Sequence, residues 1–382
     1  MDSFSSALFF FGKTQVRLPS SASVFQVKRK CVSGKTQVRF DSNASAFFCL
    51  RQRPGKWPSE VLQRGWLYFL LNFFEKKKVT YLLSQKKFVD LRPYCKIRFE
   101  TEVMIIGIDV GGSTTKIVGM EDGRIRHPMF VTATDPVTSL FGAFGKYIYD
   151  HSIQLSEVEQ VMLTGVGSSY IQQPLYGLPT ARTDEFIANG LSAQYATGLD
   201  KLMVVSMGTG TSFVRVENEE IRHIGGIGIG GGTLMGLSRL LLHTQDILWV
   251  SELAEKGDLR NVDLQIQDIC RTSLPGLPLD ATASLLGKLD NNAAPEDVAL
   301  GLMHMVLQSI GQAAVLSALE MGIRDFVLIG NLTQLPQCRP VFETIGQMYD
   351  VRFIIPENAE YQTAIGAALA YIKKIETSLV RE

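Results

Sequence analysis

Asp109 to Lys116, read DVGGSTTK, brings an acid, two adjacent glycines, three hydroxyls and a lysine together within one short stretch. Main-chain N–H groups can close on a phosphate only where side chains are absent and the turn is tight. Gly111 and Gly112 supply such a turn, Ser113 and Thr114 add hydroxyls, and Lys116 follows just beyond. Asp109 ends the preceding apolar run, where a carboxylate can hold Mg²⁺ directly or through water. SMGTGTSF at 206–213 offers a second bare turn. IGGGT at 229–233 stands ahead of a helical pattern, so Gly230, Gly231, Gly232 and Thr233 would meet an anion at a helix start. Either hairpin alone reads as an ordinary glycine turn. Two matched hairpins, with an acid before the first and a GGG–helix start after the second, point to phosphate binding. GxxxxGK[ST] is absent from residue 104 onward, and the first glycine pair enters a strand, which excludes a dinucleotide fingerprint.

The elements that must carry these turns alternate strand and helix. MIIGIDVG and TTKIVGM read as β-branched strands around the first turn, EDG supplies a second turn, and PVTSLFGAFGKYIYDHS has helical spacing. VEQVMLTGVG is a buried strand, and the helix in TDEFIANGLSAQYATGL starts with Thr183 as its expected cap. KLMVVSMGTGTSFVRVENEEIRHIGG then repeats the strand–turn–strand plan, followed by a long helix from Pro295 to Met321, the buried strand FVLIGN and a last helix in AIGAALAYIKK. The fold expected is α/β, with two duplicated domains, 104–199 and 200–382, facing one another.

Residues 1–103 have another character, with 19 basic residues against 7 acidic ones, so they carry +12 and the remainder −12. Their composition is that of a translated upstream region, and they read as an unstructured or non-native extension. A targeting segment and an interfacial helix are the alternatives. The run Trp66–Phe74 falls short of the ~20 residues that span a bilayer, so no membrane span is expected. A near-repeat, GKTQVRLPSSAS at 12–23 and GKTQVRFDSNAS at 34–45, has too few copies for a solenoid. Five scattered cysteines without a CxxC pair argue against zinc, iron–sulfur and disulfide frameworks and for a reducing, cytoplasmic setting. His127, His151, His243 and His304 have no metal-ligand spacing.

GIDVGGSTTK resembles the first phosphate hairpin of the acetate-and-sugar-kinase, Hsp70 and actin superfamily, GTGTS its second, and FVLIGN its adenosine-side strand. The ordered set GIDVGGS, LTGVG, DEF, GTGTS, IGGIGIGGGTLMGL and IGN resembles the type II pantothenate kinases over about residues 104–373. The resemblance implies two ribonuclease-H-like domains across a nucleotide cleft. It also implies ATP- and Mg²⁺-dependent phosphorylation of the terminal hydroxyl of pantothenate, the entry to coenzyme A synthesis. A homodimer with feedback by coenzyme A or acyl-CoA goes with it, and no nucleic-acid partner.

Roles follow from the same likeness. Glu185 aligns with the general base, although from the residues alone Asp184 and Glu185 need only favour a helix start. Lys116 would reach toward phosphate, Gly330 and Asn331 would line the adenosine side, and Thr209 and Ser212 would stand near the acceptor. The family pattern places arginine where this chain has His223, one residue after Arg222. Either His223 does that work or a bulge admits Arg222. Two rivals share the scaffold: a sugar or N-acetylhexosamine kinase, and an ATPase activator of 2-hydroxyacyl-CoA dehydratases, whose bridged iron–sulfur cluster would have to use Cys270 and Cys338. A non-enzymatic nucleotide sensor is a third reading, which His223 alone favours.

Overall fold

The structure is a computed structural model that describes residues 104–382, except 113, 133, 134, 273–277, 376, 381 and 382, together with short strands within residues 1–103. Residues 1–103 and 104–382 form separate compact units. In the first, the described segments pair as antiparallel strands, among them Ala7–Phe11 with Thr14–Leu18 and Val27–Val32 with Lys35–Phe40. The rest of the expected extension lies outside the described residues.

The second unit opens with β1 (Met104–Val110), β2 (Thr114–Glu121) and β3 (Arg124–Thr132), then α1 (Pro136–Asp150), β4 (Val158–Thr164) and β5 (Thr180–Arg182). After α2 (Glu185–Thr197) the plan recurs as β6 (Lys201–Met207), β7 (Thr211–Glu217) and β8 (Glu220–Ile227). Next come α3 (Gly231–Leu242), α4 (Ile247–Ala254) and α5 (Pro295–Ala318), then β9 (Asp325–Ile329), α6 (Cys338–Tyr349) and β10 (Arg352–Ile354). α7 (Gln362–Ile372) and β11 (Ser378–Leu379) close the chain.

The strand orders are β3-β2-β1-β4-β5-β11 and β8-β7-β6-β9-β10. In each sheet two tight turns give three antiparallel strands, and a helical crossover then adds a parallel strand beside the first. This repeated order is the ribonuclease-H-like arrangement.

The helices that cover the sheets are exchanged. Outer faces are covered locally: Ile106, Ile108 and Val110 pack with Leu140 and Phe144 of α1, and Met203, Val205 and Leu328 with Leu302 and Val306 of α5. Inner faces are not. Ala364, Ile365 and Ala368 of α7 cover Val118, Met120 and Met162 of the first sheet, while Ala193 and Phe186 of α2 pack on Val204, Val214 and Val216 of the second. A division at residue 199/200 therefore does not describe how the two helices are shared. They touch so closely that a Cβ on Gly366 would collide with the Ala188 carbonyl, and Thr363 Oγ1 donates to Asn189 Oδ1 at 2.8 Å. The stretch from Pro295 to Met321, long and apolar enough to cross a membrane, is mostly buried and serves as the second sheet's core helix.

Candidate active site

The first sheet ends in a polar row. Register places Lys116 of β2 opposite Asp109 of β1, Asp109 beside Thr164 of β4, and Thr164 next to Thr183, which follows β5. The corresponding positions of the second sheet are Ser212, Ser206 and Ile329. The acid–lysine register pair thus belongs to the first sheet alone.

Strand ends β4 and β9 do repeat one device. Gly165 (φ 81°) and Gly330 (φ 99°) each begin a short 3₁₀ turn in a conformation that favours glycine. Ser168 Oγ donates back to the Gly165 carbonyl at 2.7 Å, and Thr333 Oγ1 does the same to Gly330 at 2.7 Å. A Cβ on Gly165 would press on Asp109 Oδ1, so this glycine keeps the space around that carboxylate.

Glu185 is the first residue of α2. The helix is capped by Asp184, whose Oδ1 accepts from Phe186 N at 2.8 Å and Ile187 N at 3.1 Å. This corrects the expected cap at Thr183: that residue is buried at the end of the row with Oγ1 unpartnered. Because the adjacent acid satisfies the helix start, Glu185 is left for other work. Asp184→Ala is expected to lower stability by about 1 kcal/mol, read as a fall in Tm.

Burial pushes the Glu185 carboxyl up to about 7, with Asp109 and Asp184 adding to the rise and Lys116 opposing it. Burial also raises Asp109, again against Lys116. Lys116 is only 8% exposed, so it is not an ordinary solvent-facing residue of a strand. Burial lowers its pKa, and Asp109, Glu360 and Glu185 partly offset this. Three carboxylates, one of them from beyond β10, thus act electrostatically on one buried lysine. A carboxyl group poised near neutrality can remove a proton from an alcohol. A buried acid such as Asp109, its charged form penalised, fits a divalent cation that would restore its ionisation.

The glycine turns have their own bonds. Gly111 N donates to Thr114 O at 2.9 Å, Gly112 is exposed, Thr114 is partly buried, and Ser113 lies outside the described residues. In the second hairpin Gly208 N donates to Gly210 O at 2.9 Å, Thr209 is exposed, and Ser212 is partly buried. Gly231 N and Gly232 N donate to the carbonyls of Gly208 and Thr209, each at 2.9 Å, and Gly230 N to Thr233 Oγ1 at 3.3 Å. The expectation that these three N–H groups stand free for an anion is therefore corrected: Gly231 and Gly232 lock the start of α3 onto the second hairpin, and Gly230 N is taken by Thr233 of α3 itself. Gly330 is buried and donates to Ala359 O at 3.0 Å, and Asn331 is exposed beside it.

A bulge follows His223 directly. Phe213 pairs with Gly225 and Val214 with His223, leaving Ile224 as the extra residue of β8. His223 consequently shares the face of buried Val214, toward α2, and Arg222 pairs with Arg215 on the other face. The bulge brings in His223, the reverse of the alternative that admits Arg222. Phe186, whose ring stacks on His223, and Glu360 were not singled out from the sequence. The phenylalanine lies inside the DEF motif and could have been flagged there; Glu360 carries no local signal.

Cys338 is fully buried in the outer core of the second sheet, with its thiol pushed up to about 12 by burial, and Cys270 is partly exposed in another segment. A buried, protonated thiol is a poor cluster ligand, so the iron–sulfur rival loses half of its ligand set.

The fold resembles two solved dehydratase components. The activator of the 2-hydroxyisocaproyl-CoA dehydratase from Clostridium difficile, with bound ADPNP, has a TM-score of 0.52 at 14% identity, over 72% of this chain and 98% of that one. Component A of the (R)-2-hydroxyglutaryl-CoA dehydratase from Acidaminococcus fermentans has 0.53 at 19%, over 72% and 100%. At such identities the likeness is one of fold. In sequence, a type II pantothenate kinase of Staphylococcus epidermidis is 28% identical over 274 residues, covering 69% of this chain and 99% of the relative. The family described as Fumble matches residues 190–347. With that match, and an alignment that runs through almost the whole of the bacterial relative, the chain is similar to the type II pantothenate kinases.

Proposed function

We propose that this chain transfers a phosphoryl group from ATP to the terminal hydroxyl of pantothenate, giving 4'-phosphopantothenate for coenzyme A synthesis. The observation that carries the reading is Glu185, held near pKa 7 at a capped helix start beside Asp109 and Lys116, in a chain similar to the type II pantothenate kinases. A primary alcohol is a poor nucleophile until its proton has an acceptor, and Glu185 supplies one at neutral pH. The hairpins at 111–114 and 208–210 offer bare backbone and small hydroxyls to the phosphates, with Gly330 and Asn331 on the adenosine side. Lys116, itself shielded from water, opposes the rise that burial gives the neighbouring carboxylates. Asp109 would hold Mg²⁺, which when bound supplies positive charge against the phosphate oxygens. Thr209, Ser212 and His223 border the acceptor's side.

A homodimer, feedback by coenzyme A or acyl-CoA, and a cytoplasmic setting accompany this reading. The dehydratase-activator alternative loses ground through buried Cys338, and a sugar kinase remains a matter for the acceptor test.

The test is ADP release with pantothenate, N-acetylglucosamine, glucose or no acceptor. Release that depends on pantothenate and exceeds the sugar arms by at least about 100-fold in kcat/KM is expected. Equal release in every arm would leave an ATPase and remove the reading.

A further inference from the structure

The strongest unexplained contact at the site joins the two halves. The rings of Phe186 and His223 lie parallel, 3.9 Å apart between centroids with an interplanar angle of 7°. Phe186 follows Glu185 in the first turn of α2, and His223 sits on β8, the edge strand of the second sheet. The bulge at Ile224 makes the contact. In an unbulged strand, continuing the pairing from Phe213–Gly225 would set Ile224 against Val214 and His223 against Arg215, turning His223 away from the helix.

Glu185 is thereby held from both sides. Asp184 fixes the main chain before it by accepting from Phe186 N and Ile187 N, and the stacked ring fixes the side chain after it. The carboxyl group itself has no hydrogen-bond partner among the described residues, so its aim depends on its backbone.

We infer that His223 is a positioning residue that acts through Phe186: its ring clamps the start of α2 and thereby aims Glu185, instead of binding the acceptor directly. This rests on the reading of Glu185 as the base, but the clamp itself can be read without any acceptor. An aromatic ring in place of the imidazole should preserve it; a guanidinium or a methyl group should not. Small displacements of a reacting group are costly, of the order of 100-fold for about 1 Å.

The experiment compares His223→Ala, His223→Phe and His223→Arg in the full chain. Amide hydrogen exchange over residues 184–190 reads the clamp: His223→Ala and His223→Arg are expected to speed exchange there, and His223→Phe to leave it near the parent rate. In the pantothenate assay His223→Ala should lower kcat about 10- to 100-fold, leave KM for the acceptor within about twofold, and be largely rescued by His223→Phe. Unchanged exchange in His223→Ala overturns the clamp, whatever the acceptor proves to be. A raised acceptor KM with no rescue by His223→Phe overturns it in favour of direct binding. Altered exchange with parental kinetics in all three variants overturns the link to Glu185. Failure of the proposed function shows elsewhere, as an absence of pantothenate-dependent ADP release by the parent chain.

Discussion

Glu185→Gln is expected to reduce turnover about 10²- to 10⁴-fold while nucleotide binding stays near the parental value. The amide keeps the shape of the side chain and removes its proton acceptor, so the loss falls on the chemical step. The parent enzyme should show the matching pH dependence. Its base is active when ionised, and burial with the nearby acids Asp109 and Asp184 pushes its pKa up to about 7. Below that value kcat/KM should fall about tenfold per pH unit, and above it should level off. Stability runs the other way. The folded state prefers the protonated carboxyl, so between the ordinary value of 4.5 and about 7 the fold loses stability as pH rises. Glu185→Gln removes that loss. After allowance for partial exposure, the variant should be more stable than the parent by about 1–2 kcal/mol at pH 8, with the gap closing toward pH 4.5. A variant that is inactive and more heat-resistant at pH 8 is the joint signature; parental turnover would remove the assigned base.

Gly165→Ala has the second large effect, because one methyl group meets both strain and a wall. At φ 81° an alanine is unfavourable, and its Cβ would press on Asp109 Oδ1 and lie 2.6 Å from the Val110 carbonyl. Main chain cannot yield as a flexible side chain can, so a loss of about 2–4 kcal/mol is expected in chemical unfolding. Gly330→Ala is the control within the same molecule. It has φ 99°, and its Cβ would press on the Met207 carbonyl, but no carboxylate stands there. Both variants should unfold at lower denaturant concentration by similar amounts. Only Gly165→Ala should lose kcat in the folded fraction, since only it displaces Asp109, whereas Gly330→Ala should mainly raise KM for ATP. Equal kinetic damage from both would show that the row at Asp109 is not the chemical centre.

The sequence by itself determined the two matched hairpins, the order of the strands and helices that carry them, and a likeness to the type II pantothenate kinases. Those signals are local: β-branched runs at 104–121 and 201–217, bare turns at 111–112 and 208–210, and a helical pattern within 183–199. Turn chemistry and periodicity act over a few residues and can be read from a few residues.

The tertiary structure decided the rest. The exchange of α2 and α7 between the sheets depends on which apolar face each helix finds, and Ala188 against Gly366 is a contact 178 positions apart in the chain. The ionisation of Glu185 depends on burial beside Asp109 and Lys116, which no spacing encodes. One extra residue at Ile224 decided between His223 and Arg222, because side chains alternate along a strand and a single insertion reverses which of them faces the helix. The GGG segment, which reads as an open anion cradle, spends two of its N–H groups on the second hairpin and one on Thr233, since donors must find acceptors wherever the fold brings one near.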